Sequence, residues 1–182
     1  HSVFSSDFLV IGSGIAGLSY ALDVANHGKV IILCKSEATE SNTFYAQGGI
    51  ASVTDPQDSF SSHIEDTLIC GAGLCHKDIV ELTIENAPQS IKNLAAFGVN
   101  FDRVKDSLSY QLGQEGGHSQ RRILHSGDTT GMEIQQKVFE KAEQHPNIKI
   151  LKNHIAIELI QDKSSNEILG AYVLNKETTE IN

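Results

Sequence analysis

An α/β fold built on a parallel sheet is predicted by three features near the amino end of the chain. Phe8–Ile11 is a short apolar run of the kind buried in a parallel sheet. Gly12, Gly14 and Gly17 follow it directly, and Val30–Leu33 is a second apolar run. Between them Leu18, Leu22 and Ala25 recur at three- and four-residue steps, the spacing of one helix face. Strand, glycine turn, helix, strand is the context that a dinucleotide-binding fingerprint requires. Gly12 lets the chain turn sharply out of the strand. Gly14 has no Cβ and lets a pyrophosphate approach the backbone, and Gly17 lets the helix pack tightly on the sheet. Ser13, Ile15 and Ala16 complete the turn, and the amides at the positive end of the helix face the phosphates.

Composition narrows the classes. A chain of 182 residues fits one domain, or one domain and the start of another, and 40% hydrophobic with 20% charged residues is enough to build a core. A net charge of -9 argues against nucleic acid and against an anionic membrane as partner. No apolar run reaches membrane-spanning length. The first strand begins at about residue 7, which leaves no room for a signal peptide, and the expected compartment is the cytoplasm. Cys34, Cys70 and Cys75 form no disulfide framework in a chain of this size. No second ligand pair follows Cys70 and Cys75, so they read as ordinary thiols and no metal site is expected.

Past the second strand, nucleotide-binding units carry an acidic residue for the ribose hydroxyls; here Lys35 stands in its place, with Glu37 two residues on. Lys35 could donate to ribose or phosphate oxygens, or be a solvated lysine at a strand end. The segment Glu40–Ala51 is rich in small and hydrogen-bonding residues. Its Gly48 and Gly49 amides, with Asn42, Thr43 and Gln47, could line a flat polar ring system, or form a glycine-rich surface loop.

A helix is expected around His63–Leu68 with Phe60, Ile64 and Leu68 on one face, stopped by Gly71–Gly73. Asp78 caps the next helix, whose stripe of Ile84, Ala87, Ile91 and Leu94 runs to Gly98, with Pro88 breaking it into two segments. Asp128–Gly131 leads into a later helix through about Gln144, with Thr130 and Glu133 at capping-box spacing. Ile148–Leu151 is a third strand. His154–Ile160 and Ile168–Leu174, separated by a polar turn, form a β-meander. Between the helices, Leu112–His125 is too glycine-rich and charged for a core. Its carboxylate, two imidazoles and two guanidiniums could assemble a site for a dianionic, amino-bearing substrate, or lie on a surface loop.

The glycine turn, the lysine after the second strand, the run Ser41-Asn42-Thr43-Phe44-Tyr45-Ala46-Gln47-Gly48-Gly49-Ile50-Ala51 and the stretch Glu115-Gly116-Gly117-His118-Ser119 with Arg121–His125 resemble the text of L-aspartate oxidases. These belong to the flavoprotein family of succinate dehydrogenases and fumarate reductases. The resemblance covers the whole chain. It implies a Rossmann-like FAD-binding domain, with residues 1–182 its N-terminal part, incomplete at the C-terminus and without the capping and helical domains. It also implies FAD contacts at Gly12–Gly17, at Lys35, at Asn42, Thr43, Phe44, Tyr45, Ala46, Gln47, Gly48 and Gly49, and adenine contacts near Ile155 and Ala156.

In the dehydrogenase and reductase relatives the text around position 42 is similar to Ser-His-Thr, and that histidine bonds the flavin covalently. Asn42 cannot, so FAD is expected to be held non-covalently. The family's glutamate before the paired glycines faces the substrate α-ammonium, a role that falls on Glu115 here. A carboxylate favours an ammonium over an uncharged methylene. His118, Arg121 and Arg122 are expected in structural or phosphate-side roles. The implied reaction is oxidation of L-aspartate to iminoaspartate, with O2 or fumarate as final acceptor, in quinolinate and NAD synthesis beside quinolinate synthase. No catalytic residue is expected within the chain, because the family's proton-moving arginine lies beyond Asn182. A soluble fumarate reductase or succinate dehydrogenase flavoprotein, and a non-catalytic FAD-binding fragment, are the alternatives.

Overall fold

The computed structural model describes residues 3–37 and 40–182. Along the chain run β1 (Phe8–Ile11), α1 (Ile15–Val24), β2 (Val30–Leu33), α2 (Asn42–Tyr45), β3 (Ile50–Ala51), α3 (Phe60–Cys70), α4 (Lys77–Ala96), β4 (Leu112–Gly113), β5 (Ile123–Leu124), α5 (Thr130–Glu143), β6 (Ile148–Leu151), β7 (His154–Gln161) and β8 (Ile168–Asn175). The chain divides into two compact units, one ending at Phe44 and resuming over Gln135–Asn182, the other Tyr45–Ile134.

In the first unit β1, β2 and β6 form a parallel sheet in the order β1-β2-β6, with Phe8 opposite Val30 and Val30 opposite Ile148. β2 is central and buried along its whole length, as its unbroken apolar run requires. α1 packs against the sheet through Leu18, Ala21 and Leu22. β7 and β8 pair antiparallel, and Val173 exchanges both backbone hydrogen bonds with Asn182, which adds a third short antiparallel segment. Val173 and Ala171 pack onto Ile31 and Leu33, so the hairpin covers part of one sheet face.

β1 departs from expectation. Val10 is buried, but Leu9 and Ile11 are 37% and 56% exposed. Side chains alternate across a strand, so the face of β1 that carries Val10, against α1, is closed and the face that carries Leu9 and Ile11 is open. Leu9, Ile11, Leu159 and Tyr172 line an apolar trough of about 600 Å³.

The second unit joins the helices α3 and α4 to a small antiparallel sheet ordered β3-β5-β4. α3 begins at Ser59, whose hydroxyl accepts the Ser62 N–H at 3.2 Å. It ends ahead of Ala72 and Gly73, which sit at φ of 48° and 86°. Its expected apolar face is not the buried one: Phe60 is exposed, Ile64 and Leu68 are half-buried, and His63 is the buried residue. Asp66, on the opposite face, is bonded to a buried arginine described below.

α4 runs unbroken through Pro88, contrary to the expected break. A mid-helix proline costs about 3 kcal/mol. Ile84 before it and Ile91 and Leu94 after it are all buried, and each contributes about 1.5–3 kcal/mol. Asp78 lies inside the first turn of α4 and does not cap it; His76 occupies the cap position without a side-chain bond. The capping box at the start of α5 does not form either. Thr130 Oγ1 accepts the Ser126 N–H, and Glu133 is drawn to the Asn100 N–H. No described helix is long and apolar enough to cross a membrane.

Candidate cofactor-binding and substrate site

The glycine turn lies in the first unit, between β1 and α1. Gly12 has φ +111°, a conformation that side chains disfavour, and its N–H donates to Leu33 O at 3.0 Å. A Cβ on Gly17 would strike the Gly12 carbonyl and approach Val10 Cγ1 at 3.2 Å, so this glycine sets how closely α1 meets β1. Gly14 is different in kind. A Cβ there would meet only Thr43 Oγ1, at an ordinary 3.6 Å. As N-cap it brings no side chain to the helix terminus, and the first turn of α1 holds no acidic residue. The backbone beside Gly14 is thus open to a ligand, at the end of a helix whose field favours anions. These residues fit a dinucleotide phosphate.

The neighbouring residues brace this turn. Ser13 is buried, and its carbonyl accepts Gln135 Nε2 of α5 at 2.7 Å. The Ile15 amide donates to Thr43 Oγ1 at 3.2 Å, which ties α2 to the first turn of α1. Lys35 is exposed at the end of β2, and its carbonyl accepts Lys176 Nζ. Cys34 beside it is buried, and burial pushes its thiol pKa up. Ile155 and Ala156 lie on β7 opposite Leu174 and Val173. Asn42 is exposed, while Thr43 and Phe44 are half-buried.

In the second unit Tyr45, Ala46, Gln47, Gly48 and Gly49 are all exposed. Gly48 lies beside Glu115, whose Oε1 stands 2.7 Å from where a Cβ at position 48 would be. Gln47 and Gly48, with His125, Gly127 and Asp128, line a cavity of about 530 Å³. The His125 ring is fixed by a 2.9 Å bond from Nδ1 to Asp102 Oδ2, which also accepts the Gly127 N–H at 2.9 Å.

The charged groups of the 112–125 stretch do not converge on one point. Arg122 is fully buried. Its Nε and Nη2 donate to the two oxygens of Asp58 at 2.8 Å each, and its Nη1 donates to Asp66 Oδ2 at 2.7 Å. That same Asp66 oxygen accepts the Ser119 amide and hydroxyl, both at 2.8 Å. The Ser119 amide, its hydroxyl and Arg122 together overcome burial and pull the Asp66 pKa down to about 2. Burial opposes the Arg122 charge, but its bonds to Asp58 and Asp66 prevail and raise its pKa. His63 and His118 lie alongside with ring centroids 5.5 Å apart. His63 Nδ1 is buried without a hydrogen-bond partner among the described residues. Burial first, then the Arg122 charge and His118, lower its pKa.

Neither carboxylate partner of Arg122 was anticipated, nor was the pairing of Asp102 with His125. A partial signal for the first is in the sequence: Ser62, Asp66 and Cys70 recur at four-residue steps along one face of α3, with Asp58 one step earlier, just ahead of its N-cap.

The FAD binding domain family matches residues 7–182 of the chain. The L-aspartate oxidase of Vibrio cholerae is 49% identical over 96% of this chain, and the chloroplastic L-aspartate oxidase 2-a of Nicotiana tabacum is 45% identical over 96%. The chain spans 34% and 27% of the lengths of these relatives. Among solved structures, the E. coli quinol fumarate reductase superposes with a TM-score of 0.89 at 28% identity, over 96% of this chain and 30% of that one. The open glycine turn and the family match agree, and the chain belongs to the FAD binding domain family, with FAD as its cofactor.

Proposed function

We propose that the complete protein is an L-aspartate oxidase, converting L-aspartate to iminoaspartate in the cytoplasm, on the route to quinolinate and NAD. The observation that carries this reading is the Glu115 carboxylate set against Gly48, in a chain 42–49% identical to several L-aspartate oxidases. Gly12–Gly17 and Lys35 would hold the dinucleotide part of FAD, Ile155 and Ala156 its adenine, and Asn42–Gly49 its ring system. When bound, FAD supplies the acceptor for the hydride that leaves the substrate α-carbon.

The chain's own residues bind and orient. The amides and the positive dipole end of the α1 terminus favour phosphate without a counter-ion. Glu115 holds the α-ammonium by a charge-assisted hydrogen bond, which an uncharged methylene cannot return. Asn42 carries no nucleophilic nitrogen, so the cofactor is held without a covalent link. O2 or fumarate takes up the electrons, and quinolinate synthase is the expected consumer of the product.

The likeness to fumarate reductase favours a second reading, a soluble dicarboxylate reductase or dehydrogenase. The experiment is direct: full-length protein, without air, is mixed with L-aspartate or with succinate. Bleaching of the flavin by L-aspartate alone supports the oxidase. Bleaching by succinate alone overturns it.

A further inference from the structure

We propose that Arg122, with Asp58, Asp66 and Ser119, is a positioning device for Glu115, and so for the choice of an amino dicarboxylate over a plain one. The proposal rests on the role given to Glu115 above. The turn that carries this residue is Glu115–His118, closed by the His118 N–H on the Glu115 carbonyl at 3.2 Å. Gln114 Nε2 adds a bond to the His118 carbonyl at 2.8 Å. Gly117 has φ +85°, and a Cβ on it would strike Cys70 Sγ, so the turn is pressed onto the end of α3.

One residue past the turn, Ser119 gives both its amide and its hydroxyl to Asp66, and its hydroxyl lies 3.0 Å from that of Ser62. Arg122 closes the strap from below. Its backbone is held between the sheet strands, with its N–H on Gly113 O and its carbonyl on the Ser52 N–H. Its guanidinium reaches across to Asp58 and Asp66. The far end of this frame is the Glu115 carboxylate beside Gly48.

Stability alone does not explain such a group. A buried ion pair is commonly matched or bettered by apolar side chains of the same volume, because desolvating the charges offsets their attraction. What the paired ions add is direction. A planar guanidinium forked onto one carboxylate and bonded to a second admits one arrangement, whereas an apolar contact tolerates sliding. A turn presenting a single carboxylate to a small cation needs that restriction, since misplacement by about 1 Å costs most of a charge-assisted bond.

Removing Arg122 itself risks unfolding the unit, so the test uses Ser119→Ala, which keeps every buried charge. In the full-length, FAD-loaded enzyme three quantities are measured: KM for L-aspartate, the inhibition constant of succinate, which lacks the ammonium, and the thermal midpoint. All three are repeated in a Glu115→Gln background. The expected result is a rise of roughly three- to tenfold in the aspartate KM, from loss of the hydroxyl's bonds to Asp66 and Ser62. Succinate binding stays unchanged, and no further rise follows when Glu115→Gln is already present. An unchanged aspartate KM, an equal loss for succinate, or the same increment in the Glu115→Gln background overturns the proposal while leaving the role of Glu115 intact. If Glu115→Gln alone leaves the aspartate KM untouched, it is that role which fails, and the positioning proposal goes with it.

Discussion

The Glu115 carboxylate occupies the space that a side chain on Gly48 would need, 2.7 Å from the position of its Cβ. Gly48→Ala therefore competes with the tip of a long, exposed side chain. We expect the fold to lose less than about 1 kcal/mol, because that tip can swing aside, while affinity for L-aspartate falls with it. Gly49→Ala is a contrast: its Cβ would strike the Leu124 carbonyl in β5 and come within 2.6 Å of Ile123 Cγ2. Neither group can yield, so a loss above about 2 kcal/mol is expected. Denaturant titration of both full-length variants, alongside aspartate KM, checks the pair; equal stability losses would contradict it.

Gly14 and Gly17 separate cofactor binding from folding. Gly17→Ala drives a methyl group into the Gly12 carbonyl and should unfold or strongly destabilise the first unit. Gly14→Ala meets only Thr43 Oγ1 at 3.6 Å and should fold normally. If the phosphate sits at this turn as proposed, the added methyl group takes up room beside it, and FAD affinity should fall by about tenfold or more. Circular dichroism and flavin fluorescence titration on the full-length protein distinguish the two. Normal FAD affinity in Gly14→Ala would remove the phosphate from this turn.

His63 and Asp66 give stability two acid limbs. The folded state holds the His63 pKa below its ordinary 6.5, so it prefers the neutral ring. Its contribution is complete above about pH 6.5 and is lost as pH falls toward the folded value. Asp66, pulled from 3.8 to about 2, adds stability that persists above pH 3.8 and is lost between there and 2. The thermal midpoint should decline first below pH 6.5 and again below 4. His63→Phe should flatten the first decline alone, and an unaltered upper limb would exclude His63 as its source.

Asn42 is exposed on α2 and offers no covalent anchor. Acid precipitation of the full-length holoprotein is expected to leave all the yellow colour in the supernatant. Flavin that sediments with the polypeptide would refute non-covalent binding.

The first unit was legible because its signals are local. The run Val30–Leu33 is buried on both faces, and the three glycines sit at the turn their spacing implies. The fold class followed from those residues and from the text of a family. Failures came where tertiary packing overrode a local preference. Pro88 stayed inside a helix because buried residues on both sides held it there. Glu133 left its capping partner for the Asn100 backbone. Phe60, Ile64 and Leu68 share one face of α3, yet the buried residue of that helix is His63, and Arg122, just ahead of β5, pairs with Asp66 on α3 and with Asp58 before it. The four-residue steps of Ser62, Asp66 and Cys70 mark a polar face of α3, but they do not name Arg122 as the partner.

Ser62 and Asp66, one helical turn apart on α3, both accept from Arg122 and fix something further, the length of the chain between them. A helix turns by about 100° per residue, so one residue gained or lost between Ser62 and Asp66 would swing the carboxylate away from the guanidinium and strand a buried cation. Substitutions on the outer side of α3 leave that geometry alone. Over that one turn, changes of residue type are tolerated on the outer side, and a change of count is not.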